Sequence, residues 1–183
     1  MRFTSRSIAL LSVLSVLGLS VASAQHPQTR KGFWVGFGFG WGSYGISCDG
    51  CSGLGREGSY TGNIRLGGTL SPHLLLGAEG IAWSKSENGG TVTAGNTSLA
   101  AFYYPKPAGG LFLSAGVGLS RAEVSGSGVS AGHTGPGFTA GAGYDLRIAA
   151  NTSITPTLNW VYGHPDSGLS HNFYQFGIGV TFH

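Results

Sequence analysis

The sequence predicts an all-β fold: an eight-stranded antiparallel up-and-down transmembrane β-barrel preceded by a cleaved signal peptide. Three observations predict it: apolar and small residues alternate, the alternation recurs in eight stretches, and the connections alternate in length. The alternation is strictest in residues 172–183, and a period of two gives a strand one apolar face. Because no helix pattern offers a cover for that face, we expect it to contact lipid while the small face lines a closed barrel.

The N-terminus has the organisation of a secretory signal peptide. A basic segment, MRFTSR, precedes an apolar run at 8–22 and the small residues Ala-Ser-Ala at 22–24. Serine and glycine residues interrupt the run, which disfavours the alternative of a permanent membrane anchor. We expect cleavage after Ala24, so that residues 1–24 are the signal peptide and residues 25–183 form one outer-membrane β-barrel domain.

Composition excludes several classes of function. Of the ten basic residues, Arg2 and Arg6 leave with the signal peptide, so eight basic residues face seven acidic ones and no nucleic-acid partner is expected. A chain with 34 glycines and only 9% charged residues fits neither a disordered segment nor an ordinary soluble domain. After the signal peptide, no apolar run approaches the about 20 residues of a membrane helix, so any membrane crossing uses strands.

The first three predicted strands cover residues 32–42, 60–70 and 74–84. In the first, large side chains face lipid, and glycines face inward together with Trp34 near the start, as a narrow barrel requires. Arg65 and Glu79 are each seven residues from Pro72, so a hairpin centred on that proline places them opposite each other on the inner face. Trp83 also faces inward by its position in the alternation.

The remaining strands are predicted at 97–104, 111–120, 138–148, 154–162 and 172–183. The fourth strand has two possible orientations, with either Leu99, Ala101 and Tyr103 or Phe102 and Tyr104 facing outward. The sixth strand places Asp145 and Arg147 inward. Aromatic residues mostly lie near strand ends, as in the girdles at membrane interfaces; they are Trp34, Trp41, Tyr60, Tyr103, Tyr144, Trp160 and Tyr162.

An interior charged network of Arg65, Glu79, Asp145 and Arg147 follows from these assignments. Eight-stranded barrels have interiors just wide enough to be filled by side chains, which favours a structural network of paired charges. A proton or ion path is the alternative interpretation of the same residues.

The connections alternate between short and long. Residues 71–73, 105–110 and 149–151 form short turns, whereas 43–59, 85–96, 125–135 and 163–171 are longer and rich in Gly, Ser, Asn and Thr. Short turns at one end and long loops at the other are typical of outer-membrane barrels with both termini in the periplasm. The long loops are therefore expected outside the cell.

Three stretches carry a resemblance to a known family: AFYYPKPAGGLFLSAGVGLS (101–120), GFTAGAGYDLRIAANTSITPTLNWVYG (137–163) and QFGIGVTFH (175–183). They resemble the small bacterial outer-membrane β-barrels of the OmpA/OmpX-like group, in an uncharacterised outer membrane protein β-barrel domain branch. The resemblance implies a multi-pass protein of the Gram-negative outer membrane, inserted by the outer-membrane insertion machinery. Such barrels usually end in an aromatic assembly signal; here Phe182 is penultimate and has to serve.

Cys48 and Cys51 form the only cysteine pair and lie in the longest connection. No helix N-terminus is predicted that would activate a catalytic thiol, Ser52 replaces the histidine of a haem attachment motif, and two thiolates are too few for structural zinc. A disulfide that forms in the oxidising periplasm and stiffens this surface loop is expected. A free or metal-binding pair is the alternative.

Loop residues offer two further kinds of chemistry. His133, His164 and His171 could gather into a metal or pH-sensitive site, although scattered loop histidines are more often solvated. His164, Asp166 and Ser167 invite comparison with barrel enzymes that deacylate lipid A through a His-x-Ser-Asn motif. Here the spacing differs, the asparagine is missing, and the residues lie in a loop rather than on a lipid-facing strand.

The function expected from the sequence is that of a non-enzymatic integral barrel, a monomer without cofactors, metals or catalytic residues. Its loops are expected to contact lipopolysaccharide and a host or cell-surface ligand. Arg56, Lys85 and Arg121 at the outer rim could pair with lipid phosphates. A lipid A-modifying hydrolase and a narrow pore are the alternatives.

Overall fold

The computed structural model describes residues 30–48, 55–126, 128–166 and 168–183. The predicted signal peptide lies outside these residues. The strands are β1 (Phe33–Cys48), β2 (Glu57–Ser71), β3 (Leu74–Glu87), β4 (Gly90–Tyr103), β5 (Leu111–Gly126), β6 (Val129–Tyr144), β7 (Leu146–Ala149), β8 (Thr152–Asp166) and β9 (Leu169–Phe182). In the described part of the chain, no helix has the length and apolarity needed to cross a membrane.

The strands close into an eight-stranded antiparallel barrel, which confirms the predicted fold class. The hydrogen-bonded order is β6-β5-β4-β3-β2-β1-β9-β8-β7, and an additional β6–β8 pairing seals the wall. β6 and β7 are successive parts of one wall strand interrupted at Asp145, because β8 pairs with both of them. The first and last strands pair along most of their length, so the closed sheet has no free edge at the β1–β9 seam.

The register of the first hairpins follows from the alternation of the sequence. Arg65 pairs directly with Glu79 across β2 and β3, as predicted. The orientation of the fourth strand, which the sequence left open, is now defined. Leu99 and Tyr103 are 75% and 49% exposed, whereas Phe102 and Tyr104 are buried. The two aromatic rings turn inward because Trp34 and Phe112 provide an apolar environment inside the barrel at that level.

Three of the predicted long loops are strands in the structure. β3 and β4 pair as far as Glu87 and Gly90, and β5 and β6 pair as far as Gly126 and Val129. β8 and β9 continue to a pair at Asp166 and Leu169. The sequence missed these extensions because strands beyond the membrane contact water on the outside as well, so the apolar alternation is no longer needed.

The β3–β4 connection shows how tight these outer turns are. Asn88 and Gly89 have φ angles of 51° and 79°, the left-handed conformation that two-residue hairpins require. The prediction of a long loop is therefore wrong for this hairpin. The β1–β2 connection at 49–54 lies outside the described residues.

Aromatic side chains mark the outer edge of the membrane-spanning wall. These outward-facing rings, named the outer girdle, are Trp41, Tyr60, Trp160, Tyr162 and Tyr174. Trp41 and Tyr60 pack edge to face with ring centroids 5.2 Å apart. Trp34 does not belong to either girdle, because it is 2% exposed and lies inside the barrel, as does Trp83. The end that carries the short turns and His183 is called the periplasmic end, following the predicted orientation.

Candidate functional site

The lower part of the barrel interior is filled by an apolar cluster. Its members, named the lower layer, are Trp34, Leu75, Ala100, Phe102, Tyr104 and Phe112. Trp34 packs edge to face on Phe102 at 5.0 Å, and Phe102 packs on Phe112 at 5.9 Å between ring centroids. These rings come from three separate strands, so the layer crosses the lumen rather than lining one wall.

A polar layer lies above the lower layer. Arg65 donates a hydrogen bond of 3.0 Å to Thr181 Oγ1, and its guanidinium carbon is 5.0 Å from the centroid of the Phe112 ring. Glu79 accepts a hydrogen bond of 3.4 Å from Thr139 and interacts electrostatically with Arg65. The two charged side chains are 5% and 3% exposed, so each is removed from water while the other lies nearby.

Uncharged side chains complete the polar layer. Asn159 Nδ2 donates to Gln175 Oε1 at 2.9 Å, and Gln175 Nε2 donates to Thr61 Oγ1 at 3.0 Å. All three residues are at most 5% exposed. The hydrogen bonds join β8, β9 and β2, so amide and hydroxyl groups span the lumen at this level.

Asp145 anchors the periplasmic end, in a group of residues named the Asp145 cluster. Its carboxylate accepts hydrogen bonds from Tyr104 at 2.8 Å and from Thr155 at 2.9 Å. Arg30 Nη2 lies 3.6 Å and His183 Nε2 lies 3.4 Å from Asp145 Oδ2. The guanidinium of Arg30 also lies over the Tyr104 ring at 3.5 Å. Arg30, which precedes the first strand, and His183, which follows the last strand, thus meet on one buried carboxylate.

The structure divides the predicted charged network between two levels. Arg65 interacts electrostatically with both Glu79 and Asp145. Arg147 lies at the periplasmic turn, where it donates a hydrogen bond of 3.1 Å to the carbonyl of Ala150. The sequence did not indicate that Arg30 belongs to the network, because it precedes the alternating pattern.

His183 could have been found from the sequence. Phe182 faces outward at the end of β9, where its ring lies 6.2 Å from that of Phe37. His183, the next residue in the alternation, therefore faces inward, toward Asp145. The assembly-signal role of Phe182 stays a prediction.

A second apolar cluster closes the barrel above the polar layer. Its members, named the upper layer, are Tyr44, Ile81, Trp83, Ala94, Val161 and Phe173. Tyr44 and Trp83 stack with ring centroids 4.6 Å apart and an interplanar angle of 17°. The interior is therefore filled at three successive heights, apolar, polar and apolar.

Above the upper layer, the barrel opens into a cavity of about 620 Å³, named the mouth cup. Tyr44 and Trp83 form part of its floor, and Ile46, Val92 and Leu169 line its walls. The cup lies beyond the outer girdle, where the surroundings are water. A concave apolar surface of this kind is the usual form of a ligand site.

Charged side chains form the rim of the mouth cup. Lys85 Nζ lies 2.7 Å from Glu57 Oε2 and 2.8 Å from Glu87 Oε2. Lys85 donates hydrogen bonds to these two carboxylates, which raises the pKa of Lys85 and lowers the pKa of Glu87. Lys85 and Glu87 are therefore both charged at neutral pH.

The other two predicted rim cations lie on the outer surface. Arg121 donates two hydrogen bonds, from Nε at 3.0 Å and from Nη2 at 2.7 Å, to the same oxygen, Glu123 Oε2. Arg56 is held by uncharged partners, through hydrogen bonds of 3.0 Å to Ser43 Oγ and 2.7 Å to Asn172 Oδ1. Among the described residues, no carboxylate forms an ion pair with Arg56.

The three candidate histidines do not gather. His171 is buried beyond the outer girdle, Nε2 lies 3.0 Å from Ser120 Oγ, and burial lowers its pKa to about 4. His133 Nδ1 lies 3.0 Å from Asp166 Oδ2, and His164 is exposed. Within the described ranges, no group of three histidine, cysteine or acidic side chains could hold a metal ion.

Two predicted sites fall partly on residues that the structure does not describe. Cys48 ends β1, but Cys51 lies outside the described residues, so the disulfide stays a prediction. Ser167 also lies outside them. The His133–Asp166 contact joins β6 to β8.

Comparison with known proteins adds to this geometry. The model of the outer membrane protein beta-barrel domain matches residues 11–183. Neisserial surface protein A (NspA) has a TM-score of 0.62 at 16% identity, covering 84% of this chain and 98% of its own. Ail, the attachment invasion locus protein of Yersinia pestis, has a TM-score of 0.58 at 14% identity, covering 83% and 99%. No curated protein sequence matches significantly.

The structural likenesses, at such low identities, show the fold alone, and the fold is the closed barrel described above. The family model covers the whole of that barrel. The chain therefore belongs to the outer membrane protein beta-barrel domain family and is a protein of the Gram-negative outer membrane.

Proposed function

We propose that this protein is a non-enzymatic surface barrel, closed inside, whose extracellular end binds ligands. The observation that carries the proposal is the position of the open space. The lower, polar and upper layers fill the interior, whereas the mouth cup opens toward the outside of the cell. An eight-stranded barrel filled in this way serves as a rigid support for an exposed binding surface.

The polar layer supports a structural role for the interior charges. Arg65 and Glu79 lie between two apolar layers, so an ion that followed them would also have to pass the rings of Trp34 and Trp83. Both carboxylates of the predicted network are hydrogen-bonded inside the barrel, Glu79 to Thr139 and Asp145 to Tyr104. Paired buried charges of this kind stabilise a specific packing and do not require transport.

The geometry gives little support to a hydrolase. His164, the histidine of the sequence-based hypothesis, is exposed on the outer surface, while Asp166 contacts a different histidine, His133. A nucleophilic mechanism needs a base within hydrogen-bond reach of a hydroxyl or thiol. Among the described residues, no such group is hydrogen-bonded to the His133 ring, and the His171–Ser120 pair is buried, with both residues at most 1% exposed.

A bilayer experiment tests the proposal. The purified protein is expected to produce no ion-conducting steps in planar lipid bilayers, because the three layers block the lumen. Lipid A from cells with and without the protein should give identical mass spectra. Reproducible conductance that changes in Arg65→Ala would establish the pore, and a shifted lipid A mass that disappears in His164→Ala would establish the hydrolase.

The charge of the outer end restricts the partners. Ail of Yersinia pestis has been crystallised with sucrose octasulfate, a heparin analogue. Beyond the outer girdle, the described residues of the present chain carry three cations against four carboxylates, a net charge of −1 with histidines neutral. The cations are Arg56, Lys85 and Arg121, and the carboxylates are Glu57, Glu87, Glu123 and Asp166. This balance disfavours a heparin-like polyanion as ligand.

Arg56 supports a proposed contact with lipopolysaccharide. Its guanidinium lies 5.0 Å from the Tyr174 ring of the outer girdle, on the lipid-facing side. Ser43 and Asn172 fix the orientation of the guanidinium without neutralising it. Lipid phosphates lie at the height of such girdles, and arginine binds phosphate through charge-assisted hydrogen bonds. We therefore assign Arg56 to a lipopolysaccharide phosphate.

Replacing Arg56 by glutamine is expected to weaken lipopolysaccharide binding by about threefold or more, as expected for an exposed charge pair. The measurement is the rise in the thermal unfolding midpoint of the detergent-solubilised barrel as lipopolysaccharide is added. Arg121→Gln is the matched control, because Glu123 already neutralises that cation. Equal losses in the two variants would contradict the assignment of Arg56.

A further inference from the structure

We propose that the mouth cup binds a small organic cation with an aromatic or apolar body. The inference rests on the proposed surface-binding function and names the class of ligand that the exposed end would take. Three features of the cup support the inference. Its floor is apolar and faces water, its rim carries an excess of negative charge, and the ammonium group at the rim, that of Lys85, is already paired with carboxylates.

The floor and walls fit an apolar body. Tyr44 and Trp83 are 6% and 2% exposed and stack on each other, so the floor is rigid and is already assembled before a ligand arrives. Ile46, Val92 and Leu169 add aliphatic walls. The volume of about 620 Å³ lies in the range of small-molecule sites. The cup lies above the membrane and no described residue covers its apolar surface, so covering that surface with a ligand is favourable.

The rim carries one more negative charge than positive charge. The single ammonium of Lys85 forms ion pairs with two carboxylates, those of Glu57 and Glu87. The side chains of these two glutamates are 58% and 63% exposed, so they remain accessible to a ligand in the opening. Glu123, which also borders the cup, does not change the balance because it pairs with Arg121.

An anion would find no comparable partner. Lys85 already donates hydrogen bonds to both glutamates, and an anion that approached it would also approach their carboxylates. A cation can instead approach the glutamates from the open side and place its apolar body on the aromatic floor. The rim charge thus selects a cation, and the apolar floor and walls accommodate its apolar body.

The test uses the full barrel in phosphatidylcholine nanodiscs and three probes of similar size: benzyltrimethylammonium, benzyl alcohol and benzoate. Binding is followed by the shift of the Trp83 indole N–H signal in nuclear magnetic resonance spectra, assigned with Trp83→Phe. Empty nanodiscs supply the background. We expect benzyltrimethylammonium to bind at least tenfold more tightly than benzoate, with benzyl alcohol in between.

Two rim variants change the charge in opposite directions. The double variant Glu57→Gln with Glu87→Gln should lose most of the preference for the cation, whereas Lys85→Gln should bind the cation several-fold more tightly. The two glutamates are exposed and Lys85 is partly exposed, so the barrel should remain folded. Ile46→Asn should weaken the binding of all three probes, because it makes one wall of the cup polar without changing the charge of the rim.

Three outcomes would overturn the inference. They are equal binding of benzoate and the cation, equal binding of benzyl alcohol and the cation, and no shift of the Trp83 signal with any probe. Failure here is distinguishable from failure of the proposed function. If the barrel does not conduct in planar bilayers and binds none of the probes, only the proposed ligand class is wrong. If it conducts, the proposed function as a closed surface barrel is itself wrong.

Discussion

Replacing Asp145 by alanine is expected to destabilise the barrel by about 3–5 kcal/mol, because removal of one partner leaves buried groups uncompensated. The carboxylate is fully buried and accepts hydrogen bonds from Tyr104 and Thr155, while Arg30 and His183 lie within 3.6 Å. The measurement is the urea unfolding midpoint of the refolded protein in micelles, read from tryptophan fluorescence.

Two further variants separate the charge from the hydrogen bonds. Asp145→Asn keeps an oxygen acceptor and should lose less stability than Asp145→Ala. Arg30→Ala combined with Asp145→Ala should cost less than the sum of the two single changes, because the residues share one interaction. Additive effects would show that Arg30 and Asp145 do not stabilise each other.

Replacing Gly67 by alanine is expected to prevent most of the protein from assembling. Gly67 faces inward and pairs with Gly77 across β2 and β3. A Cβ atom at Gly67 would overlap the carbonyl oxygen of Leu76, and one at Gly77 would overlap that of Leu66. Overpacking a tight site costs about 1–3 kcal/mol where side chains can give way, and a clash with backbone costs more. The measurement is the fraction of folded, heat-modifiable protein on gels after refolding into micelles.

The adjacent residue supplies the control. Gly68 faces outward, and a Cβ atom there meets no atom within 4 Å. Gly68→Ala should therefore assemble as well as the unmodified protein, since it only adds a methyl group on the lipid side. Equal folding of Gly67→Ala and Gly68→Ala would contradict the requirement for close approach of β2 and β3.

Much of the barrel wall could be predicted because lipid imposes a simple pattern. The pairing of Arg65 with Glu79 follows from counting residues on either side of Pro72. The inward position of Trp83 likewise follows from the alternation. In both cases, one side of the strand contacts hydrocarbon and the other does not, so every second residue is constrained.

The mouth cup could not be predicted because that constraint ends at the outer girdle. Lys85 was expected to face lipid phosphates, but the extended β3 strand brings it to Glu57 and Glu87 instead. Glu57 and Glu87 lie 30 positions apart in the sequence, and no spacing rule joins them. Their shared contact with Lys85 depends on how far β2 and β3 continue beyond the membrane.

The sequence by itself determined which strands form the wall, which of their faces contact lipid in every strand except the fourth, and that the wall closes, because a period of two in a membrane permits few other structures. The tertiary structure alone decided what fills and what covers the lumen. Arg30 reaches Asp145 from outside the wall pattern, and Tyr44 meets Trp83 across the lumen. Such contacts arise only when the sheet closes, because closure brings side chains distant in sequence within a few ångströms of one another.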